Sequence, residues 1–203
     1  MNRQQHIKLA LSEDQYKKDV TTKILQLDKN CKAIVEAKES FHIYGLKWFS
    51  DVFKTVNKST KMKLKVRDGD LVKKNKIIVE IYGTNHALLN SERVALNYLQ
   101  TMSGTYDKCI RFKKKITNKK IQLLHTRKTI PLYRQPLSEA CEAAGCAPHR
   151  YDLSSSILIK ENHLKSASKP LDLIAKAIKK NKIVVVEAKT LKFAKTVSNL
   201  KIS

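Results

Sequence analysis

Ile157-Leu158-Ile159-Lys160-Glu161-Asn162-His163 is the stretch on which the fold turns. Three consecutive apolar residues form a short buried strand, and the polar run after them reads as a strand-end loop. The same pattern recurs downstream, where Ile183-Val184-Val185-Val186 gives way to Glu187. It recurs upstream too, where Ile121-Gln122-Leu123-Leu124 leads into His125-Thr126-Arg127-Lys128-Thr129. Helices are expected around 136–144, from about 170 to 180, and again after 187. Short apolar strands alternating with helices imply parallel βα units, and so few strands cannot close a barrel. The fold class expected is α/β, with an incomplete parallel α/β barrel over 108–203.

The N-terminal half has a different grain. Residues 7–27 read as a helix followed by a short connection: Ile7, Leu9, Ala10 and Leu11 supply apolar positions, Val20-Thr21-Thr22 interrupt them, and Ile24, Leu25 and Leu27 resume them. Residues 33–38 alternate like a half-buried strand, and a helix carrying Trp48, Val52 and Phe53 is expected after Gly45. Leu64 and Val66 alternate, Asp68-Gly69 signals a turn, and Ile77, Val79 and Ile81 alternate toward Gly83. Over 85–103 the period lengthens, with Leu88, Ala95, Leu99 and Met102 on one helical face and Gly104 as the expected stop. These elements make an N-terminal α/β sandwich domain over 1–107, including a long helix that bears Arg93.

Charge is the compositional outlier: 41 Lys+Arg against 18 Asp+Glu give +23. Such a surface attracts polyanions. However, the lysines are scattered along the chain, with short runs at Lys113-Lys114-Lys115 and Lys179-Lys180, and aromatic residues are sparse. No nucleic-acid-binding motif interleaves with them, which weighs against a nucleic acid partner and favours solvated Lys-rich faces. A substrate carrying phosphates or carboxylates would profit from the same field. Cys31, Cys109, Cys141 and Cys146 form no CxxC pair, so their spacing supports neither a zinc site nor a disulfide framework. No apolar run reaches membrane-spanning length and no cleavable leader precedes the first helix, so a cytoplasmic protein with reduced thiols and no membrane partner is expected.

Polar clusters fall at or just after strand ends, where βα architectures place chemistry. They are Arg127-Lys128, Lys160 with Asn162 and His163, and Glu187; His149-Arg150 stands a few residues ahead of the 157–160 strand. Each alone has a plain structural explanation as surface charge, helix cap or loop residue. Together, Arg127, Lys128, Arg150 and Lys160 would direct permanent positive charge into one mouth, suited to a ligand with several negative charges. Glu187 would be a counter-charge, a metal ligand or a partner for sugar hydroxyls.

At this point the residues resemble a known family. Glu92-Arg93-Val94-Ala95-Leu96-Asn97, with Leu99-Gln100 and Ser103-Gly104, is similar to a signature of the quinolinate phosphoribosyltransferases. The resemblance continues through Thr126-Arg127-Lys128-Thr129 with Pro131, His149-Arg150, and Leu158-Ile159-Lys160-Glu161-Asn162-His163. Upstream, Glu13-Asp14 with Asp19 and Thr21 fits the family opening, so the match covers nearly the whole chain.

The resemblance implies phosphoribosyl transfer from phosphoribosyl pyrophosphate to quinolinate, with decarboxylation, in NAD biosynthesis, and Mg²⁺ as cofactor. It implies that Arg127, His149, Arg150 and Lys160, with Asn162 and His163 beside them, bind quinolinate. Arg93 would be donated across a homodimer interface. Lys128 would contact phosphoribosyl pyrophosphate, Lys128, Lys160 and Glu187 would be the catalytic set, and Glu187 would face the ribose or the metal. Departures are clear as well. Ser138 stands where the family has Lys, and Ala144-Gly145-Cys146-Ala147 replaces a glycine-rich run. Asp152 and Ser155 replace a Gly and an Asp, and Val185 stands where an acidic residue is common. Family chains continue beyond the Glu187 strand, so a C-terminally incomplete chain is expected. The alternatives are a ModD-like paralogue of the same fold, or a truncated, non-catalytic protein that binds anions or nucleic acid.

Overall fold

The computed structural model describes residues 1–24, 29–118, 120–180 and 183–200, leaving the expected apolar positions Leu25 and Leu27 outside the described residues. Two compact units emerge: Met1–His125 with Thr129–Ala147, and Thr126–Lys128 with Pro148–Ser203.

The first unit opens with α1 (Arg3–Glu13), started by a capping box in which Asn2 and Gln5 satisfy each other's backbone N–H. Of the helix and short connection expected over 7–27, the helix is present and the connection itself holds two short helical pieces. After α1 come a 3-10 turn (Tyr16–Lys18) and a short α2 (Val20–Ile24). Val20-Thr21-Thr22, expected to interrupt a helix, begins one, because Asp19 Oδ1 accepts the backbone N–H groups of Thr21 and Thr22 at 3.0 and 3.2 Å. An acidic cap at that point outweighs the poor helix propensity of β-branched residues.

A three-stranded antiparallel sheet follows, ordered β1 (Asn30–Glu36), β5 (Ile77–Thr84), β3 (Lys61–Leu64). The central strand buries Ile78, Val79 and Ile81. A smaller pair joins β2 (Phe41–His42) to β4 (Leu71–Val72). Two helices cover the core: α3 (Leu46–Val56) buries Trp48, Phe49, Val52 and Phe53, and α4 (Asn85–Lys114) buries Leu88, Ala95, Tyr98, Leu99 and Met102. Each buried Val, Leu, Phe or Met among them contributes roughly 1.5–3 kcal/mol by leaving water. The start of α3 needs a glycine: Gly45 has φ +106, and a Cβ there would lie 3.0 Å from Met102 Sδ. Asp68 Oδ1 then accepts the N–H groups of Gly45 and Leu46 at 2.9 and 3.0 Å.

Gly104 does not end α4, which continues to Lys114. Gly104 faces open space, so it costs only its intrinsic propensity. Beyond it Asp107 is anchored by the His42 ring at 2.7 Å, the His42 backbone N–H at 3.0 Å, and Arg111 at 2.6 Å. The expected domain boundary at 107/108 thus lies inside a helix. The strand expected at 121–124 shrinks to β6 (Leu124–His125), which pairs with β7 (Ala147–Pro148). Between them α5 (Arg134–Ala143) packs on the first unit, where Trp48 Nε1 donates to Glu139 Oε2 at 2.7 Å.

In the second unit β8 (Ile157–Ile159) and β9 (Val184–Val186) are parallel, with Ile157, Leu158 and Ile159 opposite Val184, Val185 and Val186. The crossover carries α6 (Glu161–Lys165) and α7 (Pro170–Ile178), and α8 (Leu191–Ser198) follows. Pro170 suits the first turn of α7, where its missing N–H costs nothing. Ile159, Ile174, Val184 and Val197 form this unit's own core. The alternation of strand and helix expected from the sequence is present here as a parallel pair. Among the described residues no helix is long and apolar enough to cross a membrane.

Candidate active site

The second unit gathers Arg127, Lys128, His149, Arg150, Lys160, Asn162, His163 and Glu187. Its membership is informative, because Thr126–Lys128 leave their neighbours in sequence to join the segment that begins at Pro148. The paired strands β6 and β7 each hand the chain on to one part of it: Thr126-Arg127-Lys128 after the first, His149-Arg150 after the second.

Lys160 and Glu187 are placed by strand register. Ile159 and Val186 are partners on adjacent parallel strands, so the residues after them come to the same end of the ladder. The Glu187 N–H donates to the Ile159 carbonyl at 2.9 Å and extends that ladder by one bond. Neighbouring strands lie about 4.8 Å apart, so an acidic and a basic side chain leave this strand end side by side. Both are exposed and accessible to a ligand.

Arg127 is half-buried, and its Nε is enclosed with no hydrogen-bond partner among the described residues. An enclosed guanidinium N–H without an acceptor is costly, and an anion would satisfy it. Ser156, immediately before β8, shows the same condition at its hydroxyl. Nothing in the sequence marks Ser156, because a serine at a strand entrance carries no signal of its own. His149 and Arg150 are half-buried, and Lys128 is exposed.

His163 sits differently from a free ligand-binding imidazole. Its Nδ1 accepts the Lys160 backbone N–H at 2.9 Å, at the start of α6. That bond places the proton of the neutral ring on Nε2 and fixes the chain direction just after Lys160. Asn162 is exposed, and its carbonyl accepts the Ser166 N–H and hydroxyl. The neighbouring Glu161 is held by Lys165 at 2.7 Å and by Lys189. The hydrogen bond from Lys165, then that from Lys189, lowers its pKa.

Arg93 lies on an exposed turn of α4 in the first unit. It lines an open cleft of about 760 Å³ with His6, Glu13, Asn97, Tyr98 and Tyr133. In the cleft wall, His6 Nε2 bonds the Leu132 carbonyl, which can only accept, so Nδ1 is left to accept from the Tyr98 hydroxyl at 2.7 Å. This histidine is thereby absorbed into the wall.

Among the described residues, no group of three or more His, Cys, Asp or Glu side chains is arranged to hold a metal ion by itself. Glu187 offers one accessible carboxylate, a donor set that fits Mg²⁺ held partly by substrate phosphates.

Comparison with known proteins gives a consistent result. Residues 19–103 match the family model for the quinolinate phosphoribosyl transferase N-terminal domain, and residues 107–203 match its C-terminal domain. A tobacco protein named quinolinate phosphoribosyltransferase [decarboxylating] 1b is 34% identical over 195 residues, covering 91% of this chain and 55% of its own length. A probable nicotinate-nucleotide pyrophosphorylase [carboxylating] of Bacillus subtilis is 30% identical over 159 residues, covering 78% of this chain and 55% of its own length. The solved nicotinate-nucleotide pyrophosphorylase of Francisella tularensis superposes with a TM-score of 0.87 at 29% identity, covering 98% of this chain and 73% of that one. The chain thus spans about half the length of these curated relatives.

Proposed function

Because this chain belongs to the quinolinate phosphoribosyltransferase family, we propose that it acts in transfer of a phosphoribosyl group from phosphoribosyl pyrophosphate to quinolinate. The products are nicotinate mononucleotide, CO₂ and pyrophosphate, and the setting is cytoplasmic NAD biosynthesis.

The observation that carries the proposal is the enclosed, unpartnered Arg127 Nε, in the same compact unit as His149, Arg150 and Lys160. A pyridine dicarboxylate needs forked, permanently charged donors, and it would supply the acceptor that Arg127 lacks. Arg150 and Lys160 hold the second carboxylate, with His149 adding a hydrogen bond. Arg93 completes the set from the other subunit of a homodimer. Lys128, exposed beside Arg127, takes the phosphates of the sugar donor.

The transfer breaks the anomeric C–O bond, releases pyrophosphate, builds positive charge on the ribose, and joins the ring nitrogen of quinolinate to the anomeric carbon. Glu187, at the strand end beside Lys160, stabilises that charge or holds the ribose hydroxyls. Mg²⁺ held by Glu187 and the pyrophosphate oxygens would neutralise the leaving group. Arg127 and Lys160 keep the ring fixed while the carboxylate next to the new pyridinium nitrogen departs as CO₂; the electron pair left on that ring carbon is stabilised by the adjacent positive nitrogen and takes up a proton from solvent.

Incubation of purified protein with quinolinate, phosphoribosyl pyrophosphate and Mg²⁺ tests this by appearance of nicotinate mononucleotide. Product that disappears in Arg127→Ala supports the proposal. A chain that neither binds quinolinate nor makes product overturns it. Quinolinate binding without turnover retains the recognition half and removes the transfer.

A further inference from the structure

Cys109 on α4 and Cys141 on α5 are 32 residues apart in sequence, yet their sulfur atoms approach to 3.7 Å. Both residues are half-buried, and all four cysteines of the chain are free thiols. Cys146 completes the group: it is buried just beyond α5, and its backbone N–H donates to the Cys141 carbonyl at 3.0 Å. All three belong to the first unit, whereas Arg127, His149, Arg150 and Lys160 belong to the second. We propose that Cys109 and Cys141 form an oxidative modification site, a dithiol pair that a hydroperoxide converts to a disulfide joining α4 to α5.

The geometry favours this pair. A disulfide requires sulfurs about 2.05 Å apart, so the two, already in direct contact at 3.7 Å, need only a further approach that side-chain rotation can supply. The helices that carry them are held together independently: the Lys113 ammonium donates to the Ala144 carbonyl at 2.9 Å, and Glu139 on α5 accepts from Trp48. The partners also differ in character. The Cys109 S–H donates to Cys141, which lowers the Cys141 pKa, while that same bond and burial raise Cys109. Burial, with Cys109 adding to it, pushes Cys146 up to about 11. Lys108 acts on Cys109 and Lys113 on Cys146, while burial, Cys146 and Glu142 oppose the Cys109 hydrogen bond at Cys141 without outweighing it. Cys141 is therefore the sulfur readiest to be a thiolate nucleophile.

The chemistry balances in two steps. The Cys141 thiolate attacks one oxygen of the hydroperoxide, the O–O bond breaks, and the leaving oxygen takes up a proton as water or an alcohol. Cys141 is then a sulfenic acid. Cys109, giving up its proton, attacks that sulfur and displaces the hydroxyl, which takes the proton as water. Two thiols lose two electrons and two protons, and the peroxide is reduced.

The test uses the whole native chain with hydrogen peroxide, followed by an alkylating reagent and intact mass measurement. The expected product is a monomer lighter by two hydrogen atoms, with blocked thiols falling from the four present to two. Cleavage after Glu142 separates Cys141 from Cys146, so peptide mapping identifies the partner of Cys109 without any variant. A Cys109–Cys141 linkage that dithiothreitol reverses, lost in Cys141→Ser and retained in Cys31→Ser, supports the proposal. Oxygen addition without a cross-link, a linkage through Cys146 or Cys31, or a bond only between molecules overturns it.

Discussion

Trp48 Nε1 donates to Glu139 Oε2 at 2.7 Å, although 91 residues separate them, while Glu139 Oε1 accepts from Gln135 at 3.0 Å. Glu139 follows Ser138, in the stretch where the resemblance to the family weakens. That stretch is nonetheless bound to the centre of the first unit, since Trp48 is among its largest fully buried side chains.

Glu139→Ala leaves the indole N–H enclosed without its acceptor and should destabilise the first unit by about 1–3 kcal/mol. Glu139→Gln keeps an acceptor and should cost less. Trp48 is the only tryptophan, so urea unfolding followed by its fluorescence reads both variants directly. Equal stability of the alanine variant and wild type would remove this bond from the account.

Gly45→Ala should destabilise by roughly 1–3 kcal/mol, because a left-handed backbone and crowding by Met102 act together. In Gly45→Ala/Met102→Ala the Sδ and Cγ contacts are gone, but the Cβ of residue 102 at 3.1 Å and the φ of +106 remain. A double-mutant cycle on thermal or urea stability should therefore show only partial compensation.

Arg127→Ala should weaken quinolinate binding by about 10–100-fold, the range for loss of a charge-assisted hydrogen bond. Arg127→Lys should fail to restore it, since an ammonium cannot reproduce the fork. Calorimetry at low salt measures both. Full affinity in the lysine variant would show that charge alone suffices at this position.

Glu80 lies between Lys32 at 2.6 Å and Lys65 at 3.0 Å. The hydrogen bond from Lys32, then that from Lys65, lowers its pKa from 4.5 to about 2. A carboxylate whose folded pKa is depressed stabilises above its unfolded value, and that stability is lost as pH falls through the folded one. Wild type should therefore lose stability between about pH 4.5 and 2 more steeply than Glu80→Gln. High salt should shrink the difference, because exposed pairs are screened. Parallel acid titrations of circular dichroism at two ionic strengths check both statements.

Periodicity made much of the fold legible. The alternation ending at Gly83 gives β5, and the buried Leu88, Ala95, Leu99 and Met102 give the face of α4. Residue type alone misleads where tertiary context decides. Gly104 predicts a stop, but solvent on its open side and the Asp107 anchor beyond it let the helix continue. Val20-Thr21-Thr22 have poor helix propensity, and the Asp19 cap overrides it. At the site, Arg127, Lys160 and Glu187 were legible as polar residues after apolar strands. Ser156 and the Cys109–Cys141 approach were not, since burial without a partner and contact across 32 residues leave no local trace.

The unbroken course of α4 has a consequence for how such a protein could be recombined. Residues 104–106, between the two family matches, lie within a helix that is still paired to β2 through Asp107. The α5 segment lies in the second match yet folds with the first unit. A chimera spliced at 104–106 would divide a cooperative body, and its halves would inherit mismatched partners for Trp48 and His42. A crossover at 147–148, which keeps α5 with the first unit, should give viable hybrids far more often.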